Sequence, residues 1–306
     1  MERRDVLAFR QAAAVLPLRL RQRALALPLE EQGLVEELRL RAGRPLSAVL
    51  PEGERSLGGG PVSSAELEQL VEIASRASLH TVLPQICQGY LTIEGGHRLG
   101  LCGTAVLREG EIHSRRRLSS ANLRVARQVK GAAETVLSRL CPAGRLESTL
   151  ILAPPGLGKT TLLRDLVRLV SEGEGCQPLR VGVADERGEL AAMYNGTPQN
   201  DLGARTDILD GCPKGPALLM LLRAMNPQVL AADEITAPAD AEALAQAAGC
   251  GVKLLCTIHG GSLADLRRRP VCRRLMEEGL FRKVVLLQVR EGQRVCRVED
   301  LEGALC

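Results

Sequence analysis

From Ser148 onward, near-continuous apolar runs alternate with stretches of helical period. The runs cover 149–153, 179–184, 229–232, 252–258 and 283–289. Strands that are apolar on both faces and separated by helices predict a buried, mainly parallel sheet. The chain before Ser148 has a different pattern. Its first segment, to about Leu27, has helical apolar spacing. Leu38 and Leu40 then alternate with Arg39 and Arg41 ahead of Gly43, predicting a hairpin across 34–51 with one wet face. Residues 58–61 read as a loop, and Ser63 or Ser64 opens a capped amphipathic helix over 66–77. Two short strands are expected around the turn at Gly95-Gly96. A helical stretch over 122–140 is expected to end at Cys141-Pro142-Ala143-Gly144. The pattern therefore divides the chain into domains at 1–144 and 145–306.

Composition narrows the function classes. Charged residues make up 25% and the net charge is only +4, so the balance does not call for a polyanionic partner. With two Tyr, two Phe and no Trp, there is little from which to build base-stacking platforms. The ten cysteines include no C-x-x-C pair, which excludes a zinc ribbon and points to reduced thiols in a reducing compartment. No uncharged apolar run approaches the roughly 18 residues of a membrane span. The apolar patch at 12–18 is crowded by Arg10, Arg19, Arg21 and Arg23, so it reads as an amphipathic helix rather than a secretory signal. A cytoplasmic chain with at most peripheral membrane association is expected.

Ala153-Pro154-Pro155-Gly156-Leu157-Gly158-Lys159-Thr160 matches the phosphate-loop pattern, with alanine at its first glycine. It follows an apolar strand and precedes a helix, as the chemistry requires. Backbone N–H groups from Gly156 to Thr160 are placed to wrap a β-phosphate, and the helix N-terminus adds partial positive charge. Pro155, Gly156, Leu157, Gly158, Lys159, Thr160 and Thr161 form the expected nucleotide-binding set. Lys159 supplies charge to the β- and γ-phosphates of ATP, and the Thr160 hydroxyl a ligand for Mg²⁺.

Polar groups close the later apolar runs. Asp233 and Glu234 end the run at 229–232, where Asp233 would hold Mg²⁺ through water and Glu234 would polarise the attacking water. Thr257 and His259 end another run, on the edge where open α/β sheets bind ligands. Either could contact the γ-phosphate. Glu186, in Asp185-Glu186-Arg187-Gly188-Glu189, would lie near that phosphate if its strand neighbours the phosphate-loop strand.

Taken together, Glu37-Leu-Arg-Leu-Arg-Ala-Gly-Arg-Pro, Gln88-Gly-Tyr-Leu-Thr-Ile-Glu-Gly-Gly-His-Arg-Leu-Gly, Ser120-Ala-Asn-Leu-Arg-Val-Ala-Arg, the phosphate loop, Asp185-Glu-Arg-Gly-Glu, Leu222-Arg-Ala-Met-Asn-Pro and Thr257-Ile-His-Gly resemble the stage III sporulation protein AA family. That family sits within the type II/IV secretion ATPase superfamily. The resemblance implies a RecA-like P-loop NTPase core with a mainly parallel sheet, plus a smaller α+β amino-terminal domain. It further implies a hexameric ring of self-copies with ATP between subunits, recruited in the mother cell to membrane proteins of a channel linking mother cell and forespore. By the same resemblance Glu186 falls in an acidic box, Glu234 is the Walker B glutamate and His259 lies in a histidine box. Arg98, Arg116 and Arg124 become candidate arginine fingers, delivered from the amino-terminal domain of a neighbouring copy.

Two other readings stay open on the sequence. A nucleic-acid-dependent RecA-type ATPase could use Arg115–Arg117 and Arg267–Arg269 on phosphates, although such triplets are usually solvated. A nucleotide-gated scaffold with little hydrolysis is the other.

Overall fold

The computed structural model describes residues 3–76, 86–87, 89–108, 111–290 and 293–301. They fall into two compact units, Met1–Arg127 with Ala192–Gln199, and Gln128–Ala191 with Asn200–Cys306.

The first unit is built on a six-stranded antiparallel sheet in the order β3-β2-β1-β6-β5-β4. Its strands are β1 (Glu37–Arg41), β2 (Pro45–Leu50), β3 (Gly53–Pro61), β4 (Tyr90–Thr92), β5 (Arg98–Arg108) and β6 (Glu111–Arg124). Helices α1 (Arg3–Ala13), α2 (Leu18–Leu25), α3 (Leu29–Gln32) and α4 (Ser64–Ala74) complete it. The segment to Leu27 is helical as expected, but Pro17 at the N-cap of α2 breaks the 12–18 patch, read as one amphipathic helix, into the end of α1, a turn and the start of α2. Leu38 and Leu40 are fully buried while their arginine neighbours face out, and they share a core with Phe9, Leu16, Leu20 and Leu67. Ser63 caps α4: its hydroxyl accepts the Glu66 N–H at 3.2 Å while the Glu66 carboxylate accepts the Ser63 N–H at 2.9 Å.

Two expectations are corrected here. Residues 58–61 are not a loop but the end of edge strand β3, where Gly58, Gly59 and Gly60 fall in a bulge of its pairing with β2 that closes at Pro61 opposite Pro45. Three glycines there remove the side-chain alternation that marks a strand. The supposed helix over 122–140 is β6 as far as Arg124, and helix begins only at Glu134. Ala121, Leu123 and Val125 are buried on alternate positions, a period of two, before Gly131 breaks the chain with φ of 86°.

The second unit holds a seven-stranded sheet in the order β13-β12-β7-β11-β10-β8-β9. Only β13 runs antiparallel. In chain order the elements are α5 (Glu134–Leu140), a 3-10 turn at Pro142–Gly144, β7 (Thr149–Ala153), α6 (Lys159–Glu172), β8 (Val181–Asp185) and β9 (Thr206–Asp210). Then come α7 (Lys214–Ala224), β10 (Val229–Ala232), α8 (Pro238–Gly249), β11 (Lys253–His259), α9 (Leu263–Arg267), α10 (Pro270–Glu277), β12 (Lys283–Arg290) and β13 (Gln293–Asp300). The five apolar runs are β7, β8, β10, β11 and β12, and β7 and β10 are buried along their whole length.

Residues 128–144, grouped with the first domain by sequence, lie in this second unit. Arg139 Nη2 donates to the Val298 carbonyl of β13 at 2.6 Å, and the Ala133 N–H donates to buried Asp165 at 2.9 Å. Among the described residues, no helix is long and apolar enough to cross a membrane.

Candidate nucleotide site

Parallel pairing lines up the carboxyl ends of the central strands. Ala153 at the end of β7 stands in register with His259 at the end of β11, and Ala232 of β10 with Cys256 of β11. The loops that leave this edge carry the polar residues, as open α/β sheets generally arrange them.

The loop from Ala153 exposes Pro154, Pro155 and Gly156, half-buries Leu157 and Gly158, and enters α6 at buried Lys159. Gly156 and Gly158 hold φ of 78° and 90°, a region that L-residues with side chains rarely occupy. Thr160 and Thr161 are half-buried in the first turn of α6. Lys159 Nζ donates to the Pro154 carbonyl at 3.2 Å and meets His259 Nδ1 at 2.8 Å. Burial pushes the Lys159 ammonium below its ordinary pKa, against the pull of Asp233 and Glu234.

Thr160 donates its hydroxyl to Asp233 Oδ2 at 2.5 Å, and the Thr257 hydroxyl bonds the other oxygen, Oδ1. Thr257 also accepts the Glu234 N–H at 2.8 Å. Glu234 occupies the left-handed region with φ of 54°, a strained position for a glutamate that this bond helps to hold. Its carboxylate is shared. Oε1 lies 2.5 Å from His259 Nε2, and Oε2 accepts from Arg187 Nη1 at 3.1 Å. Because Lys159 donates to Nδ1 of His259, we assign the imidazole proton to Nε2, facing Glu234.

Asp185 and Glu186 end β8, one strand beyond β10. Asp185 is buried and accepts the N–H groups of Glu189, Leu190 and Ala191, so it shapes the turn, and burial raises its pKa despite those bonds. Arg164 on α6 secures the same turn from outside, donating to the Glu189 and Leu190 carbonyls at 2.6 and 3.0 Å. Glu186 Oε2 meets Lys214 Nζ at 2.5 Å; the lysine side chain is 8% exposed and the glutamate 39%. A cavity of about 20 Å³ lies among Glu186, Arg187, Lys214, Asp233 and Glu234, room for one water with polar partners on several sides.

The structure thus gathers Lys159, Thr160, Asp233, Glu234, Thr257 and His259 into one bonded network, with Glu186 across a small cavity from Glu234. The three arginine candidates belong to the first unit. Arg98 and Arg124 are register partners on β5 and β6; Arg98 stacks 3.9 Å over the Tyr90 ring, and Arg124 pairs with Glu37 at 2.8 Å. Arg116 lies on β6, and its side chain is outside the described residues. Sequence reasoning missed Lys214 and Arg187. One signal for Lys214 was present: a lysine in the first turn of a helix opposes the helix dipole and needs a reason to be there.

A RecA-like P-loop NTPase core, together with a smaller antiparallel α+β unit, is the class of fold these observations define. The chain belongs to the family described as "Sporulation stage III, protein AA", whose model matches residues 9–304. It is 37% identical over 295 residues to stage III sporulation protein AA of Bacillus subtilis (strain 168), covering 96% of this chain and 95% of that protein. A shorter match, 27% identical over 149 residues, is to Protein SEEDLING PLASTID DEVELOPMENT 1 of Arabidopsis thaliana, spanning 48% of this chain and 21% of that one. Among solved structures the fold is similar to the Legionella pneumophila ATPase DotB, with a TM-score of 0.61, 14% identity, and 92% and 81% of the two chains covered. It is also similar to the pilus retraction motor PilT with bound ADP, at a TM-score of 0.60, 15% identity, and 87% and 78% covered.

Proposed function

We propose that this protein is an ATPase that hydrolyses Mg-ATP to power or assemble a membrane-associated sporulation complex between mother cell and forespore. The observation that carries the reading is the joining of Lys159, His259 and Glu234 in one chain of contacts beside a phosphate loop. A scaffold that only binds nucleotide has no need of a strained glutamate held by three partners.

The residues fit a magnesium nucleotide. Gly156 and Gly158 open the loop backbone at positive φ, Lys159 brings a buried cation, and Thr160 with Asp233 offers hard oxygen donors of the kind magnesium prefers. Held there by Thr160 and Asp233, Mg²⁺ would supply positive charge against the phosphate charge that develops in the reaction. Thr257 orients the Asp233 carboxylate and fixes the Glu234 backbone. Glu234 accepts a proton from water, with His259 and Arg187 aiming its two oxygens. Glu186, held by Lys214, lines the cavity where a water can sit. His259 links the lysine that meets phosphate to the glutamate that meets water, a route by which the state of one biases the other.

The membrane-channel role, the mother-cell setting and the hexameric ring come from the family resemblance. Glu234→Gln tests the hydrolytic core. We expect turnover to fall by a factor of roughly 10² to 10⁴, the usual contribution of a positioned base, with nucleotide affinity retained. Equal turnover by variant and wild type would remove Glu234 from the mechanism. A wild type that binds ATP without hydrolysing it would favour the scaffold.

A further inference from the structure

We propose that Arg294 binds the nucleotide at its α-phosphate end, reaching the phosphate loop from the side opposite the γ-phosphate machinery. The proposal rests on the ATPase reading above.

Strand register puts Arg294 there. β12 pairs with β7 only as far as Leu286 opposite Leu152, then continues to Arg290 beyond the end of β7. β13 turns back along it, with Gln293 opposite Arg290 and Arg294 opposite Val289. Val289 is three residues past Leu286, roughly 10 Å further along the strand, so Val289 and its partner Arg294 stand level with the loop that leaves β7. Arg294 Nη1 lies 3.3 Å from the point a Cβ on Gly158 would occupy, and Thr161 Cβ is 4.0 Å from the same point. The absence of a side chain at Gly158 leaves room for the guanidinium.

The Arg294 side chain makes no hydrogen bond or ion pair among the described residues. By contrast, Arg297 on the same strand pairs with Glu299 at 2.8 Å. A cation placed at Gly158, the N-cap of α6 and the residue before Lys159, faces the positive end of the helix dipole and finds no compensating charge within the protein alone. The placement becomes favourable when an anion of several charges lies between them, and a guanidinium suits phosphate oxygens through its paired donors.

Sheet order then decides which phosphate. Thr257 and His259 on β11, Asp233 and Glu234 after β10, and Glu186 after β8 all lie on one side of β7. β12 and β13 lie on the other side. Arg294 therefore addresses the end of the nucleotide away from the γ-phosphate, which ADP and ATP share.

The test measures binding rather than turnover. Dissociation constants for ADP and for a non-hydrolysable ATP analogue are determined with Mg²⁺ at fixed ionic strength for wild type, Arg294→Ala and Arg294→Lys. We expect Arg294→Ala to weaken both ligands alike, by about tenfold or more for a lost charge-assisted bond, and Arg294→Lys to fall between. The melting temperature without nucleotide should stay at the wild-type value, since no protein partner is lost. Unchanged affinities, or a loss confined to the triphosphate analogue, would overturn the assignment. A wild type that binds neither ligand would instead overturn the ATPase reading on which it rests.

Discussion

Lys214 enters the first turn of α7, where the helix dipole is unfavourable to a cation, and its side chain is only 8% exposed. Such a placement is sustained by its ion pair with Glu186. Removing Glu186 strands the buried Lys214 ammonium, and removing Lys214 frees Glu186 from its place at the cavity, so the two residues should behave as a unit. We expect Lys214→Met and Glu186→Gln each to lower kcat by about tenfold or more, and the double variant to fall no further than the worse single one. Additive losses in that cycle would show that the pair is not functionally coupled. The positions of Asp233, Glu234 and His259 at strand ends were legible in the sequence because each follows an apolar run, and parallel pairing brings such ends to one edge. Their roles are what the Glu234→Gln experiment decides. Arg294 was not legible, and Lys214 gave only its unfavourable place at a helix start as a signal. One arrives on a helix N-terminus and the other on an edge hairpin, and their nearness to the site depends on strand order, which residue patterns do not state.

The β4–β5 hairpin was visible from Gly95-Gly96, yet what anchors it was not. His97 directly follows that turn, is buried, and accepts the Ala126 N–H on Nδ1 at 2.9 Å. Burial first, then the positive charge of Arg127, lowers its pKa from 6.5 to about 4. In the folded chain His97 is neutral where the unfolded chain would protonate it. Its contribution to stability is therefore fully present above pH 6.5 and is lost as pH falls through about 4, by an amount on the order of 3 kcal/mol. Urea midpoints measured across that window should fall steeply for wild type and less for His97→Gln, whose carbonyl can still accept the Ala126 N–H. Parallel slopes would mean that His97 is not the titrating group. Glu54 and Glu66, held at about 2 chiefly by Arg41 and Arg19, lose their stabilisation as pH falls from about 4.5, but they do so in both proteins, so the difference between the two slopes reports His97. Elements with a clean period were legible: the 34–51 hairpin, the Ser63-capped helix and five parallel strands. Those that misled lacked one. Gly58-Gly59-Gly60 hid the end of β3. In β13, seven of eight residues are at least partly exposed, with charged and polar side chains interrupting the apolar ones, so it reads as surface. The half-exposed β9 does the same. The stretch 122–125 alternates over too few residues to outweigh the helical run that follows it.

At the scale of the whole molecule the question is where the remaining positive charge for phosphate transfer originates. Lys159 and Arg187 reach the network from within the second unit, and the ring that we propose would add a cation from a neighbouring copy. Arg98 and Arg124 stand side by side on the first unit's sheet, and the Arg124 side chain is 62% exposed. If arginines of this unit act in trans, two different lesions can compensate each other. Chains with Glu234→Gln keep their arginines but lack the base; chains with Arg98, Arg116 and Arg124 all changed to alanine keep the base but lack the cation. Each homogeneous assembly should be nearly inactive. A mixed assembly contains interfaces where an intact Glu234 faces an intact arginine, so mixing should restore part of the turnover. Mass measured in the same samples with Mg-ATP should approach six times the 32.8 kDa chain, and activity per chain should rise with concentration until assembly is complete. Partial recovery on mixing, with assembly, places the cation on a neighbouring copy. Mixtures that stay inactive although fully assembled would return the arginines to a structural role within their own sheet, Arg98 against Tyr90 and Arg124 against Glu37.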